Sequence, residues 1–335
     1  MKKLFFGLLE EDINEIYESS SSVWRDLKRA DILVMGGTGF IGKWIVASLG
    51  YAINQGNNIK ITVISRHPKD NYKDFTCASF PIDWVESDLS KQSELNLEKF
   101  THIINAATPS SALTGSIEPR YVFESISGGN DLILTSKTNP KLRYVHLSSG
   151  AVTALESLEQ SYEKDFCADN HLQTLPSAYS HGKRFAEEAI NKARQEYNLD
   201  AQSLRLYAFA GPGLPTDQHY AAGNFMRDGM RNLPIEIKGN PNTKRSYMYP
   251  ADLTRHILNS LVSREVTTRE VGSKETISIC GLARVISENT NNSIVTEGDS
   301  SKPYSVYLPR TKGLLSETIS LEESIQRWRE WLSSL

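Results

Sequence analysis

A tyrosine and a lysine four positions apart form the pair of residues best suited to proton transfer. Tyr179 and Lys183 fall within a pattern that predicts a helix from near Pro176 to about Tyr197. Side chains at this spacing point to one helix face, one turn apart. A free tyrosine, with a pKa of about 10, is a poor acid or base near neutrality, but a neighbouring ammonium favours the phenolate. The pattern therefore predicts Tyr179 as a general acid or base whose pKa Lys183 lowers.

Two serine hydroxyls end the strand that precedes this helix. The apolar run from Tyr144 predicts a buried strand that ends in Ser148 and Ser149. Either hydroxyl could hydrogen-bond a substrate oxygen beside the tyrosine. A Tyr-x-x-x-Lys pair is common by chance, and its place after a strand ending in two serines makes it informative.

A glycine-rich turn joins the first predicted strand to the first predicted helix. The first glycine allows the turn, the second lets backbone N–H groups approach a pyrophosphate, and the third lets the helix pack on the strand. The helix N-terminus adds a favourable field for phosphates. This context predicts a dinucleotide-binding turn, within which the expected contacts are Gly36, Thr38, Gly39, Phe40, Ile41 and Gly42.

The residues that end the second strand bear on which dinucleotide binds. An NAD-binding chain usually places a carboxylate there, which accepts a hydrogen bond from the ribose 2′-hydroxyl. Here the residues are Ser65-Arg66-His67, and no acid follows until Asp70. An arginine pairs instead with a 2′-phosphate, unless Arg66 is only a solvated surface cation. We expect Ser65 and Arg66 to contact the cofactor and NADP(H) to be preferred, with NAD(H) as the alternative.

These residues need a scaffold, and the hydropathy pattern predicts an α/β one. Short apolar runs alternate with amphipathic helices, which is typical of a parallel, doubly wound Rossmann sheet. We expect a dinucleotide-binding domain over 29–211 and a smaller α/β substrate lobe over 212–335, with 247–261 as a segment that could rejoin the first domain. The predicted strands are 31–35, 59–64, 82–85, 102–107, 144–149 and 203–207.

Residues 1–28 precede this pattern and predict a partly helical extension. Leu9, Ile13 and Ile16 share one helical face, and a run of four serines interrupts the helix after them. The short apolar run at the start stops at three acidic residues, which favours an arm packed on its own domain or on a second copy over a signal peptide.

Composition excludes several classes of partner. The 335 residues include 37 basic and 40 acidic ones, a net charge of −3, which gives no electrostatic case for nucleic acid. No apolar run reaches the roughly 20 residues of a membrane span. Cys77, Cys167 and Cys280 include no Cys-x-x-Cys pair, and the histidines show no metal-ligand spacing, so neither a disulfide framework nor a metal site is expected. We expect a cytoplasmic protein.

The chain resembles the extended short-chain dehydrogenase/reductases of the NAD-dependent epimerase/dehydratase family, over about residues 30–335. The resemblance implies a Rossmann domain, a small substrate lobe, a nicotinamide cofactor, a nucleotide-sugar substrate and a homodimer through helices of the Rossmann domain. It also implies that Tyr179 is the acid/base, that Lys183 holds the ribose of the cofactor and that Ser149 orients the substrate oxygen. The matching segments, besides the glycine turn and the Tyr179–Lys183 pair, are 88–89, 105–107, 148–149, 205–212, 233–239, 245–247, 252–253 and 321–325.

The resemblance extends the list of expected contacts. Asp88 suits an adenine amino group, although a helix N-cap is an equally good use for it. Arg245 suits a diphosphate because its guanidinium is bidentate and always charged, and the alternative is an ion pair with Asp252. The further cofactor contacts are Asp88, Leu89, Ala106 and Ala107, and the substrate contacts are Ser148, Asn224, Phe225 and Arg245.

Departures from the family pattern bear on the reaction. The family's 4,6-dehydratases and decarboxylases place a carboxylic acid one or two residues after the serine, where this chain has Gly150 and Ala151. The Tyr-Gly pair usual after that is replaced by Thr153 and Ala154, and Ser125 stands where the family often has an asparagine. The missing acid at Gly150 and Ala151 disfavours a dehydratase, and Ser125 leaves no asparagine to act at its position.

These observations favour an NADPH-dependent reductase of a 4-keto nucleotide sugar. The alternative is a nucleotide-sugar epimerase with tightly bound NAD(P). Two further hypotheses are a reductase of small hydrophobic ketones, which Arg245 and the polar loop at 239–244 oppose, and a non-enzymatic dinucleotide sensor. Such a sensor would usually have lost Tyr179.

Overall fold

The computed structural model describes residues 4–66, 80–91, 95–108, 119–135, 141–153, 178–218, 220–264, 268–302, 304–310 and 319–335. His67, Asp70, Cys77, Ala154, Cys167 and Pro176 lie outside the described residues. The described helices are α1 (Glu10–Ser19), α2 (Ser21–Asp26), α3 (Phe40–Asn54), α4 (Pro119–Thr135), α5 (Ala178–Tyr197), α6 (Ala221–Met230), α7 (Pro250–Val262), α8 (Ile279–Thr290) and α9 (Leu321–Leu332). The described strands are β1 (Leu4–Phe5), β2 (Leu8–Leu9), β3 (Asp31–Met35), β4 (Lys60–Ser65), β5 (Asp83–Glu86), β6 (His102–Asn105), β7 (Arg143–Ser149), β8 (Asp200–Leu206), β9 (Ala208–Phe209), β10 (Ile235–Ile237), β11 (Lys244–Arg245), β12 (Tyr247–Met248), β13 (Arg269–Val271), β14 (Ile277–Ser278), β15 (Ile294–Thr296) and β16 (Val306–Tyr307).

A seven-stranded parallel sheet forms the larger layer, in the order β13-β8-β7-β6-β3-β4-β5. Both faces of its central strand are apolar: Ile32 and Val34 face one core cluster, and Leu33 and Met35 face the other. A strand buried on both faces is typical of doubly wound sheets. The predicted α/β fold is confirmed, and the chain reverses direction across the sheet between β3 and β6, where such sheets bind ligands.

The chain crosses to a smaller lobe after β9 and then returns. Helices α6, α8 and α9 pack around a second core that includes Phe225, Leu282, Ile325 and Trp328. Its short sheets are β10-β15 and β14-β11-β16, while β12 pairs with β9. Helix α7 then packs in the main core and β13 adds the seventh strand beside β8. The return therefore runs beyond 261, and the sequence did not predict β13 because three residues make no periodic pattern.

The N-terminal extension packs on the chain itself. Strands β1 and β2 pair as a hairpin, and α1 and α2 follow with Ser20 between them. Leu9, Ile13 and Ile16 are fully buried. The predicted face of α1 therefore lies in the core, as periodicity requires.

An ionic cluster ties this extension to the C-terminal helix, and we name it the clamp: Asp12, Glu15, Tyr249, Glu323 and Arg327. Arg327 of α9 donates to Asp12 and to Glu15 of α1, and to Glu323 of its own helix. The Tyr249 hydroxyl donates to Asp12 Oδ2 at 2.5 Å. Asp12 is fully buried, and burial raises its pKa to about 6 against the opposing bonds from Tyr249 and Arg327.

No helix in the described part of the chain is both long and apolar enough to span a membrane. Among the same residues, no group of three or more histidine, cysteine, aspartate and glutamate side chains is arranged to hold a metal ion.

Candidate active site

The glycine turn closes the carboxyl end of β3 onto the start of α3. Gly36 has φ of +78°, a conformation that favours glycine. A Cβ on Gly36 would lie 2.8 Å from the backbone of Ala106, and one on Gly42 would lie 2.2 Å from the carbonyl oxygen of Gly36. The turn, the loop after β6 and the helix therefore approach one another closely only because both positions are glycine.

The first turn of α3 presents backbone donors to open space. Lys43 N donates to the carbonyl oxygen of Gly39 at 2.8 Å, but within the described residues no backbone acceptor pairs with the N–H of Phe40 or Ile41. Gly39 caps the helix without a side chain, and a Cβ there would meet only the Gly36 carbonyl oxygen, at 3.5 Å. An uncapped helix N-terminus with space before it fits a pyrophosphate.

Two further loops border this helix N-terminus. The Thr38 hydroxyl lies 3.1 Å from the Ser65 hydroxyl at the end of β4. On the other side, Asn105 accepts from Ala107 N at 3.2 Å and donates to the Tyr144 hydroxyl at 3.0 Å. The described geometry therefore fits a dinucleotide, and the predicted cofactor contacts that lie along this edge are Gly36, Thr38, Gly39, Phe40, Ile41, Gly42, Ser65, Ala106 and Ala107.

Arg66 and Asp88 follow β4 and β5, at the same carboxyl edge of the parallel sheet as the glycine turn. Arg66 is exposed and donates to the Tyr121 hydroxyl. Asp88 Oδ1 accepts from Ser90 N at 3.1 Å and from the Ser90 hydroxyl at 2.7 Å. Partial burial opposes its charge, but the bonds from Ser90 hold the pKa of Asp88 below its ordinary value. The Asp88 carboxylate thus accepts hydrogen bonds from the residues that follow it, as a capping residue does. These bonds favour the predicted capping role over the predicted contact with adenine.

Leu89 packs in the hydrophobic core next to Asp88. It is buried in the core cluster on the outer side of the sheet. A Cβ on Gly128 of α4 would lie 1.6 Å from the carbonyl oxygen of Leu89, so the helix and the loop are in direct contact.

Ser149, Tyr179 and Lys183 come together where β7 ends beside α5. Lys183 Nζ donates to the Leu147 carbonyl oxygen at 2.6 Å and to the Thr108 hydroxyl at 3.0 Å. The same nitrogen lies 5.9 Å from the centroid of the Tyr179 ring. Ser149 Oγ accepts from Ala151 N at 3.1 Å. The three residues singled out by sequence therefore share one site next to the glycine turn.

Burial governs the charges in this group. Burial lowers the pKa of Lys183 to about 7, and the Glu187 carboxylate partly opposes that shift. Burial also raises the pKa of the Tyr179 hydroxyl, against a hydrogen bond from Ser149. The direction for Tyr179 is opposite to the one predicted from a neighbouring ammonium, because loss of hydration is the largest influence on its pKa and disfavours the charged phenolate.

Ser148 does not belong to this group. Its side chain points to the other face of β7, is buried, and donates to Glu187 Oε1 at 2.5 Å. Glu187 also binds Arg205 through two nitrogens, at 3.0 and 2.7 Å. The predicted substrate contact from Ser148 is thus replaced by a buried ion pair that joins β7, β8 and α5.

Arg245 lies in the smaller lobe, and the alternative ion pair with Asp252 is wrong. Its guanidinium donates to the Ser305 hydroxyl at 2.9 Å and lies 5.7 Å from the centroid of the Tyr307 ring. Asp252 is paired instead with Arg255, three positions along α7. Arg245 is therefore held by neutral groups, and in the described residues it forms no salt bridge.

The two predicted substrate contacts on α6, Asn224 and Phe225, differ in how far their side chains are exposed. Asn224 is half-buried, and its Oδ1 accepts from Arg227 at 3.2 Å. Phe225 is 4% exposed and packs in the core of the smaller lobe, so its ring supports the helix and does not face the cleft.

The structure adds two tyrosines that sequence reasoning missed. Tyr307 of β16 places its hydroxyl 3.3 Å from Ser149 Oγ. Tyr207 only packs beside Tyr307, with the rings tilted and their centroids 4.9 Å apart, and a Cβ on Gly150 would lie 2.4 Å from the Tyr207 ring. Neither tyrosine lies in a motif, and no local signal could have found them.

The fold and this site together define a Rossmann-type enzyme with a Ser-Tyr-Lys group. The sequence model of the NAD dependent epimerase/dehydratase family matches residues 32–271. The chain belongs to that family.

Two curated relatives from Arabidopsis thaliana are similar to most of the chain. UDP-glucuronic acid decarboxylase 2 is 20% identical over 282 residues, which are 83% of this chain and 61% of the relative. UDP-glucuronate 4-epimerase 2 is 26% identical over 275 residues, which are 76% of this chain and 59% of the relative. The chain thus spans about 60% of the length of these relatives.

Solved structures share the fold over nearly their whole length. The UDP-N-acetylglucosamine 4-epimerase of Methanobrevibacter ruminantium M1 has a TM-score of 0.75 at 19% identity, with 92% of this chain and 99% of that chain covered. The Bordetella bronchiseptica enzyme WbmF in complex with NAD+ has a TM-score of 0.69 at 16% identity, with 92% and 94% covered. The UDP-glucose 4-epimerase of Thermotoga maritima has a TM-score of 0.65 at 18% identity, with 91% and 99% covered.

Proposed function

We propose that the protein is a nucleotide-sugar epimerase that acts on a UDP-linked sugar with a bound nicotinamide dinucleotide. The observation that carries the proposal is the assembled group of Ser149, Tyr179 and Lys183, followed by a residue that leaves no room for an acid. A Cβ on Gly150 would already lie 2.4 Å from the Tyr207 ring. A larger, acidic side chain there would displace that ring.

The residues that follow Ser149 bear on which reaction of the family the site supports. Elimination of water needs an acid near the serine, and Gly150 and Ala151 provide none. The reductase favoured at first from the sequence requires only hydride transfer, which the site also supports. The relatives and structures named as 4-epimerases give the epimerase more weight than the reductase.

The residues of the chain have distinct parts in the proposed reaction. Tyr179 as its phenolate takes the proton from the sugar hydroxyl that is oxidised, and the resulting Tyr179 hydroxyl returns that proton to the oxygen of the ketone that is reduced. The Ser149 hydroxyl donates to the same sugar oxygen, and Lys183, fixed by the Leu147 carbonyl oxygen, favours negative charge on the tyrosine. The bound dinucleotide would accept and return the hydride.

The smaller lobe supplies the proposed contacts with the nucleotide. Arg245 is half-buried and uncompensated by any carboxylate among the described residues, so its charge is available to a diphosphate. Asn224 lies on α6, and its amide is the polar group there that we propose for the nucleotide. Phe225 would act only by holding that helix.

Product analysis tests the proposal directly. Purified protein would be incubated without added cofactor with UDP-glucose, UDP-N-acetylglucosamine or UDP-glucuronate, and the products analysed by proton NMR. We expect one of them to be interconverted with its C4 epimer. Consumption of NADPH in proportion to a supplied 4-keto sugar, with no interconversion, would establish the reductase instead, and release of CO2 from UDP-glucuronate would establish a decarboxylase.

Cofactor preference has its own test, because the proposed NADP(H) preference rests on Arg66. Arg66→Ala is expected to weaken NADPH binding by about ten- to a hundredfold, since a hydrogen bond to a charged group contributes roughly 1.5–3 kcal/mol, and to leave NADH binding nearly unchanged. Isothermal titration of both cofactors measures this. Wild-type protein that binds NADH more tightly than NADPH would refute the preference and leave the epimerase proposal intact.

We also propose a homodimer through α4 and α5. Phe123 of α4 and Phe185 of α5 are 45% and 57% exposed, with ring centroids 6.1 Å apart. An exposed aromatic pair on two packed helices is typical of an interface. Light scattering of wild type and of Phe123→Glu/Phe185→Glu tests it: the variant should be monomeric, and an unchanged dimer would exclude this face.

A further inference from the structure

The Ser149 hydroxyl has neighbours from both lobes. The N–H of Ala151 donates to its oxygen at 3.1 Å, and the Tyr307 hydroxyl, which belongs to the smaller lobe, lies 3.3 Å away. Ser149 also opposes the rise that burial causes in the pKa of Tyr179, so its hydroxyl lies on the Tyr179 side of the site. A serine hydroxyl has one proton and two acceptor positions, so its orientation depends on which neighbour donates.

The Tyr307 hydroxyl likewise has a choice of two acceptors. Its oxygen lies 3.3 Å from the Leu206 carbonyl oxygen and equally far from Ser149 Oγ. The carbonyl can only accept. If Tyr307 donates to Leu206, Ser149 is free to donate to Tyr307, and its proton then points away from Tyr179. If Tyr307 donates to Ser149, the Ser149 proton points toward Tyr179 and the cleft.

We propose that Tyr307 is a positioning residue that orients the Ser149 proton toward the reacting oxygen atoms. As negative charge develops on the Tyr179 or sugar oxygen, Ser149 donates to that oxygen and Tyr307 donates to Ser149. The two hydrogen bonds then form a chain, and each strengthens the other. No proton leaves its oxygen in the chain. This role rests on the proposed function of Ser149 and Tyr179.

The position of Tyr307 connects this chain to substrate binding. The Arg245 guanidinium lies 5.7 Å from the centroid of the Tyr307 ring, and their strands β11 and β16 are paired. A diphosphate bound by Arg245 would therefore fix the strand pair that carries Tyr307. Recognition of the nucleotide and orientation of the catalytic serine would share one structural element.

A kinetic double-mutant cycle tests the proposal. Tyr307→Phe keeps the ring beneath Arg245 and removes the hydroxyl, and we expect kcat to fall about three- to tenfold, the usual size for one neutral hydrogen bond, with KM changed less than about twofold. In the Ser149→Ala background the same substitution should have no further effect on kcat, because Tyr307 acts through Ser149. An equal fall in both backgrounds would overturn the proposal, since Tyr307 would then act on the substrate directly.

The matched control is Tyr207→Phe. The Tyr207 ring packs on that of Tyr307, but its hydroxyl does not bond to Ser149. We expect its kcat to stay within about twofold of wild type, because the substitution keeps the packed ring and removes a hydroxyl that does not contact Ser149. A fall equal to that of Tyr307→Phe would show a general packing effect and count against the proposal.

A second cycle needs no substrate and separates this proposal from the proposed function. The stability of wild type, Ser149→Ala, Tyr307→Phe and the double variant would be measured by urea denaturation. We expect the double variant to lose less stability than the sum of the two single losses, because one shared bond is removed twice. Additive losses would show that the bond contributes nothing, and would overturn the proposal whether or not any UDP-sugar is turned over.

Discussion

Two polar clusters join the two lobes of this protein, and they use buried tyrosines in opposite ways. In the clamp, the Tyr249 hydroxyl donates to the Asp12 carboxylate, and Arg327 binds the same carboxylate. In the active site, the Tyr179 hydroxyl is surrounded by neutral hydroxyls and a lysine whose own bonds go to a carbonyl and a hydroxyl. Burial raises the pKa of both tyrosines.

The difference lies in what remains for a ligand to bind. The clamp pairs opposite charges within the protein, so its bonding capacity is used on folding. The hydroxyl groups of the active site have more acceptor positions than protons, and a sugar hydroxyl can donate to the positions that remain. Buried polar groups of the first kind contribute mainly to stability, and those of the second kind carry chemistry. The largest effects on stability and on activity should therefore come from different substitutions.

Tyr179→Phe should give the largest effect and only on activity. The substitution removes the group proposed to transfer the proton, a contribution typically of about 10²–10⁴-fold in rate, and keeps the ring. We expect kcat to fall by that factor and the urea midpoint to stay unchanged. If Tyr179→Phe lost stability and kept its turnover, the active-site cluster would be a stabilising cluster and not a catalytic one.

Arg327→Met should affect stability only. Removing one partner of a buried ion pair leaves an uncompensated charge and costs about 3–5 kcal/mol. Urea denaturation at pH 7.5 measures the loss. Arg120→Met provides the control, because its ion pair with Glu124 is exposed and should contribute less than about 1 kcal/mol. Equal losses of stability in both variants would mean that the clamp contributes no more to stability than an exposed ion pair.

The clamp should also make stability depend on pH. The unfolded chain releases the Asp12 proton near 3.8, whereas the folded protein keeps it until about 6. The folded state therefore binds more protons in that window, and stability should fall by about 2–3 kcal/mol as pH rises through it. Urea denaturation of wild type and Asp12→Asn between pH 4 and 7 checks this, since the variant lacks this component. Parallel curves for the two proteins would contradict the raised pKa.

Tyr249→Phe, the counterpart of Tyr179→Phe, should give the smallest effect. It removes one hydrogen bond to a carboxylate, about 1.5–3 kcal/mol of stability, and leaves Arg327 in place. We expect kcat near wild type at 20 °C, measured beside the denaturation curves. A large fall in kcat without loss of stability would show that the clamp takes part in the reaction.

The sequence predicted those parts of the molecule that depend on local periodicity. The glycine turn, the shared face of Tyr179 and Lys183, and the buried face of α1 all follow from spacings of a few residues. The three-residue strand β13 and the return of the chain to the large sheet depend on pairing with β8, which is distant in sequence.

Side-chain partners were harder to predict than elements. Which of Ser148 and Ser149 faces the cleft depends on the register of β7, and the alternation of a strand allows either until the register is known. Tyr307 meets Ser149 across 158 residues. The Asp252–Arg255 pair was accessible from sequence, because residues three apart on a helix are neighbours.

The clamp also bears on when the native state can form during synthesis. Its bond between Asp12 and Arg327 spans 315 residues, and the nearby bond from Trp331 to the Gly7 carbonyl oxygen spans 324. Contacts so distant require closure of a very long loop, which is slow even though its entropy grows only with the logarithm of length. While the ribosome is still translating the chain, α1 can begin to cover the Rossmann layer before Tyr249 and then Arg327 are available to bind Asp12. Until α9 has emerged, the Asp12 carboxylate lacks its arginine, so we expect the lobes to dock through the clamp only after the Rossmann layer has been synthesised.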